Sequence, residues 1–369
     1  MRTKASHCNF GFQPPWRWIK LSGVKKSGSV SQQRIADDLG VSQALVSMVL
    51  NGKRENISPE SYQRIWDHAL KIGYRPKGMQ INGNGGLTTS VGFILRSGLR
   101  LHTQSNFFSH VQHGLHHGLL ARGYHSIFLG SEDDLGVRTV QQLLRRNQVF
   151  GLAILGQVDE KFLESIKSVQ PNLVTISVSY PGICHSVMPN EKQAVSLLVE
   201  HLTGLKHRQF AWVAGDKGLQ YNLRRHTELV EALSQRDLKL AEKYSVNVEL
   251  GDRIGGRNAA EIMLRQISHK SFPTAWICAN GLIARGVINC LMQSGWRVPD
   301  EISVVAVDAT RVCVEEHPQI TGAHADPERI GVTAAELLLR RADSTDESLM
   351  DVVIPSQLTV RETTAKAAA

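Results

Sequence analysis

In the stretch VSQALVSMVLNG, Val41 to Gly52, a glutamine, two serines and an asparagine are spaced along what reads as a short helix, with Met48 among them. Ser and Asn side chains beside a helix N-terminus can hold phosphate oxygens, and a Gln amide can pair bidentately with adenine. In the second helix of a DNA-reading unit, Met48 stands where a polar or basic side chain is expected, because methionine offers a base edge no hydrogen-bond donor. Farther on, His110, His113 and His117 in FSHVQHGLHHGL can line one helix face and suit a metal, yet no Cys or carboxylate of that stretch completes the set. GDRIGGR at 251 to 257 lacks the Lys-Ser/Thr of a Walker loop and reads as a turn between strand and helix. No G-x-S-x-G elbow, H-E-x-x-H pair or positioned carboxylate pair is present, so neither an enzyme nor a cofactor or metal site is expected.

The elements around the first stretch are legible. Gln32 to Leu39 places Ile35, Ala36 and Leu39 on one face, and Gly40 supplies a helix C-terminus. Ser42 is a natural N-cap for Gln43 to Leu50, whose Leu45, Val46, Val49 and Leu50 face inward, and Asn51-Gly52 stops it. Ser58-Pro59-Glu60 opens a third helix that runs to about Ile72. Three helices in about 45 residues, the first two joined by a tight glycine turn, make a helix-turn-helix.

Charge supports a polyanion partner for this part. Residues 1 to 86 hold 13 Lys/Arg against 5 Asp/Glu, and the remaining residues hold 29 of each, so the whole formal excess of +8 lies in the N-terminal quarter. Residues 1–30 mix Pro-Pro, Gly-Ser and aromatics without a period, which predicts an extension with no fold of its own and suits a natural start near Val24. The five cysteines form no C-x-x-C pair, no apolar run reaches the length of a membrane span, and no secretory signal is seen, which together point to the cytoplasm.

From residue 90 the pattern alternates. Short apolar runs recur between helical stretches: Val91 to Leu95, Ser126 to Leu129, Leu152 to Leu155, Leu173 to Val178, Phe210 to Ala214, Val246 to Leu250, Ala275 to Ala279 and Ser303 to Val307. Such alternation predicts parallel sheets with helices on both faces, and this many strands exceed one core. The fold class is therefore α/β, a helix-turn-helix headpiece followed by two Rossmann-like lobes that meet at a cleft. The expected divisions are headpiece 31–76, hinge 77–89, two-lobed domain 90–364 and tail 365–369.

The run IADDLGVSQALVSMVLNG with ISPESYQRIWDHALKIGYRP resembles the headpiece of the lac repressor family of bacterial transcription regulators. SNFF at 105–108, HLTGLKHRQFAWVAG at 201–215, PTAWICAN at 273–280, VPDEISVVAVD at 298–308 and QLTVRETT at 357–364 continue the resemblance in order. It implies a periplasmic-binding-protein-like effector domain, a double-stranded DNA operator, a homodimer and a sugar-like or polyol effector. It places Gln43, Ala44 and Met48 at base edges, and Ser31, Gln32, Ser42, Leu45, Ser47, Asn51 and Asn56 at phosphates. Most members carry Arg at the Met48 position, so a guanine contact is lost here. Tyr74 and Pro76 match the hinge pattern, but Gly83 falls where a minor-groove leucine belongs, which favours a flexible linker, with Met79 or Ile81 as substitute wedges.

In the effector cleft the resemblance brings forward Phe107, Phe108, Arg225 and Asn280. A guanidinium fork and an amide suit a polyol, and an aromatic face can stack on a sugar ring. Gly281 and Ser177 stand where the family keeps carboxylates, and Ala309 replaces another, so a standard hexose is not expected. Two other readings are a solute-binding protein without a regulatory role, which the headpiece disfavours, and a sugar-modifying enzyme, for which no catalytic set is present.

Overall fold

The computed structural model describes residues 32–50, 57–71, 90–95, 107–131, 135–147, 149–266, 272–308, 310–343 and 348–367. The chain forms two compact units, divided between Leu87 and Thr88. In the first, α1 (Gln32–Leu39), α2 (Gln43–Leu50) and α3 (Pro59–Lys71) enclose Ile35, Ala36, Val46, Val49, Ile65 and Ala69. Gly40 adopts φ +64°, a left-handed turn that a side chain resists, and the next amide, Val41 N–H, reaches Ala36 O at 3.0 Å. Ser42 Oγ accepts from Leu45 N–H at 3.2 Å and Ser58 Oγ from Ser61 N–H at 3.2 Å, so both predicted caps form. Two contacts that periodicity does not show tie α3 to α1: Arg64 donates to Leu39 O at 3.0 Å, and His68 Nε2 lies 2.9 Å from Asp38 Oδ2.

The second unit holds two six-stranded sheets. One contains β1 (Ser90–Leu95), β2 (His125–Ser131), β3 (Gly151–Leu155), β4 (Leu173–Ile176), β5 (His185–Pro189) and β11 (Asp351–Ile354), in the order β11-β5-β4-β3-β1-β2, with every pairing parallel. The other contains β6 (Phe210–Ala214), β7 (Ser245–Asn247), β8 (Ala275–Cys278), β9 (Ser303–Ala306), β10 (Thr321–Ala325) and β12 (Ser356–Thr359), in the order β12-β10-β9-β8-β6-β7. Here β12 runs antiparallel to β10, a departure from the wholly parallel pattern expected.

All eight apolar runs read as strands are strands. Two end early: the fourth stops at Ile176, where Ser177 turns with φ +75°, and the sixth spans only Ser245–Asn247. The four strands not foreseen, β5, β10, β11 and β12, carry His185, Ser186, Thr321, His324, Asp351 and Gln357, which break the apolar signature. The chain crosses between lobes three times, after β5, after β10 and after β11. Two of the crossings are stitched together, since Asn190 N–H donates to Ile354 O at 2.9 Å and Ser356 Oγ to Asn190 O at 3.0 Å.

Helix α4 (Phe107–Leu120) and helix α11 (Pro327–Asp343) pack so closely that glycine is required. A Cβ on Gly331 would lie 2.0 Å from Val111 O, and one on Gly114 2.0 Å from Glu328 O. Gly331→Ala should therefore lower the urea unfolding free energy by ~1–3 kcal/mol, as overpacking does; an unchanged midpoint would refute the packing.

His207, 1 % exposed, lies 2.9 Å from Thr274 Oγ1 through Nδ1 and 3.1 Å from Ala365 O through Nε2. Burial holds His207 and His324 below the usual imidazole value of 6.5. The unfolded chain then takes up these protons first, so stability is complete above pH 6.5 and falls as pH drops below it. Denaturant titrations from pH 8 to pH 5 check this expectation, and a flat profile would oppose it.

Candidate functional site

On the headpiece, Gln43, Ala44 and Met48 are exposed along α2, Met48 to 40 %, while Val46 and Val49 fill the inward face. Ser42 is exposed, and Leu45 and Ser47 are half-buried, Leu45 leaning on the small core. Gln32 is half-buried at the start of α1. Ser31, Asn51 and Asn56 lie outside the described residues, as do the hinge positions Tyr74, Pro76, Met79, Ile81 and Gly83. Ala44 and Met48 lie side by side next to Gln43 on an accessible helix surface, which can offer thymine methyl groups apolar contact and adenine a bidentate partner.

In the second unit, Phe107, Phe108, Arg225 and Asn280 all line one cavity of about 440 Å³. That is within the size range of small-molecule sites. Phe107 and Phe108 open α4 with their rings edge to face, 5.2 Å between centroids. Arg225 lies on α8 (Gln220–Ser234), and Asn280 caps α10 (Gly281–Gln293).

Both polar side chains have internal tasks. Arg225 donates through Nε and Nη2 to the two oxygens of Glu191, each at 2.7 Å, and through Nη1 to Ala279 O. Glu191 is 5 % exposed and begins α7 (Glu191–Gly204), directly after the stitched crossing. Burial opposes the charge on Arg225, but the carboxylate against it wins and holds the guanidinium above its usual value. Asn280 Oδ1 accepts from Ile283 N–H at 2.8 Å and its Nδ2 donates to Gly251 O at 2.9 Å. Neither is the free fork or amide that the resemblance suggested for a polyol. The Arg225 guanidinium also lies 5.3 Å from the Tyr221 ring centre, and burial pushes the Tyr221 phenol up, so it stays a neutral donor.

Gly281 explains one missing carboxylate. A Cβ there would sit 2.7 Å from Val312 Cγ1 and 2.8 Å from Cys313 Sγ, so an aspartate would have to push both side chains aside. The Gly281 amide instead donates to Asp308 Oδ2 at 3.1 Å, and Thr310 N–H donates to Asp308 Oδ1 at 2.7 Å. Carboxylates enter the cleft elsewhere: Glu191, Asp216, Glu249, Asp308, Asp326 and Glu328 all line it, from positions that no single motif joins.

The remaining motifs are absorbed by structure. In GDRIGGR, Asp252 Oδ1 caps α9 (Arg253–Gln266) by accepting from Gly255 N–H at 2.7 Å, and a Cβ on Gly256 would meet Ile283 O at 2.1 Å. It is a turn and a helix contact, as expected. His110 and His113 place Nδ1 at 3.4 and 3.5 Å from Glu328 Oε1, a carboxylate distant in sequence, and among the described residues no three such groups are arranged to hold a metal. Gln157 was not foreseen: it spans the lobes, accepting from Gln220 N–H at 2.9 Å and donating to Gly218 O at 3.3 Å.

A family model described as a periplasmic binding protein-like domain matches residues 199–364. The HTH-type transcriptional repressor PurR of Yersinia enterocolitica is 24% identical over 336 residues, covering 90% of this chain and 96% of that protein. PurR of Mannheimia succiniciproducens is 22% identical over 338 residues, covering 90% and 98%. Among solved structures, the lac repressor dimer bound to operator and the anti-inducer ONPF aligns with TM-score 0.70 at 21% identity, over 91% of this chain and 99% of that one. The transcriptional regulator CelR in complex with cellobiose aligns with TM-score 0.64 at 21% identity, over 90% and 99%.

The buried pair yields a direct test. Glu191→Ala leaves a guanidinium without its counter-charge and should destabilise the protein by ~3–5 kcal/mol, whereas Glu191→Ala with Arg225→Met should recover a substantial part. Equal loss in single and double variants, by thermal or urea unfolding, would show that the pair is not coupled.

Proposed function

We propose that the chain is a transcriptional regulator of the lac repressor type, a sequence-specific DNA-binding repressor whose hold on its operator is set by a small molecule in the cleft, a reading supported by its similarity to the PurR repressors and by the shared fold. The observation that carries this reading is the joining, in one chain, of an exposed α2 face bearing Gln43, Ala44 and Met48 to a two-lobed unit with a ligand-sized cavity. One headpiece offers few base contacts, so the active species is a homodimer on a pseudo-palindromic site. The excess of positive charge before residue 87 supplies the sequence-independent part of the affinity.

Gln43 pairs with adenine, Ala44 and Met48 meet thymine methyl groups, and Ser42, Ser47 and Gln32 hold phosphates, with Ser31, Asn51 and Asn56 in the same role. The effector is a compact molecule of sugar size, seated against Phe107 and Phe108. The protein is not an enzyme: the described groups of its cavity are not arranged as nucleophile, base and oxyanion donors. Action on DNA places it in the cytoplasm. No helix among the described residues is long and apolar enough to cross a membrane.

Selection of bound sites from random DNA should enrich an inverted repeat, and affinity should fall with salt by a slope of about 0.9 for each phosphate neutralised. Met48→Arg should move the preference at one symmetric position towards guanine, at ~1–3 kcal/mol of discrimination. No inverted repeat would refute the regulator; an unchanged consensus in the variant would refute the placement of Met48.

A further inference from the structure

The charge in the cleft is unbalanced. Six carboxylates line it, Glu191, Asp216, Glu249, Asp308, Asp326 and Glu328, against the guanidinium groups of Arg225 and Arg311. Arg225 is neutralised by Glu191, and Arg311 pairs at 2.7 Å with Glu315, outside the cavity lining. Glu328 has His110 and His113 beside it. Among the described residues, the other four carboxylates have no Lys, Arg or His within ion-pair distance. Burial pushes the His324 imidazole down, so this wall residue adds no positive charge near neutral pH.

Asp308 matters most, being 8 % exposed, because a charge at the edge of a low-dielectric wall acts over a longer range than one in water. Its oxygens accept from two backbone amides and from Thr310 Oγ1, donors that carry no net charge of their own. A second observation has the same sense. Asn222 is 4 % exposed in the cavity wall; its Nδ2 donates to Asp216 O at 2.9 Å, and its Oδ1, which can only accept, has no partner. The half-buried Phe107 and Phe108 rings add π-faces that attract a cation and gain nothing from an anion.

Electrostatics and the unmet acceptor thus ask for a donor-rich, positively charged guest. We propose that the effector is an organic cation bearing a protonated amine, an amino sugar or a short alkyl amine, held by Asp308 and the surrounding carboxylates against Phe107 and Phe108. This inference rests on the effector-controlled reading of the cleft and makes its chemistry specific. A neutral hexose gains nothing from the charge of this wall, and an anion is repelled by it.

Calorimetric titration of the full chain with glucosamine and putrescine, beside their neutral counterparts glucose and 1,4-butanediol, tests it. At least one amine should bind at least about ten-fold more tightly than its counterpart, and added salt should weaken that binding. Asp308→Asn should lower the amine affinity about ten-fold or more. Because Asp308 also holds Gly281 and Thr310, Glu249→Lys serves as a second variant: Glu249 is exposed, so the fold tolerates the change while the new ammonium competes with the ligand. Equal binding of amine and neutral counterpart, no binding of either amine, or unchanged amine affinity in Glu249→Lys would overturn the proposal. Site selection on the same preparation separates the two readings. Amine binding without operator enrichment supports the cation and sinks the regulator, whereas enrichment without amine preference sinks the cation alone.

Discussion

Burying an ionised arginine is tolerable only beside a carboxylate that reaches both sides of its fork, and much of the effector unit is arranged around that constraint. Arg225 comes from α8, Glu191 from the start of α7 and Ala279 O from the end of β8, so one guanidinium fixes three elements at the cleft floor. Glu191 follows Asn190, the residue that stitches two inter-lobe crossings through Ile354 and Ser356. The ion pair thus lies next to the joint between the lobes. A ligand that altered the field around it would act close to the segments that connect the lobes.

Among its described residues the headpiece is legible because its signals are local. Ser42, Gly40 and Ser58-Pro59 each act within a few residues, and the apolar positions of α1 and α2 repeat with the helical period. What escaped was the cross-helix contact of His68 with Asp38, since nothing in a one-dimensional pattern pairs residues that far apart. The sheets followed the same rule. Strands buried on both faces, such as Leu152 to Leu155, read as apolar runs, whereas β10 and β12 carry polar side chains and were invisible to periodicity.

The cleft was legible as a place and not as a chemistry. Resemblance brought Phe107, Phe108, Arg225 and Asn280 to one cavity, but the role of each depends on a partner that sequence does not name. Glu191 sits 34 residues from Arg225, and the Asn280 amide is spent on Gly251. Family positions also say nothing of Asp216, Glu249 and Asp326, which enter the wall from loops and turns between the sheet elements.

The space around Gly281 bears on how such a site can change over time. Val312 Cγ1 and Cys313 Sγ already occupy the volume that a Cβ would need, and Asp308 already takes the Gly281 amide. An aspartate there must displace those two side chains, while smaller neighbours beside a bare glycine would leave a cavity and a less stable fold. Neither single change is neutral. Packing around Gly281 thereby couples the chemistry of this wall position to the size of Val312 and Cys313.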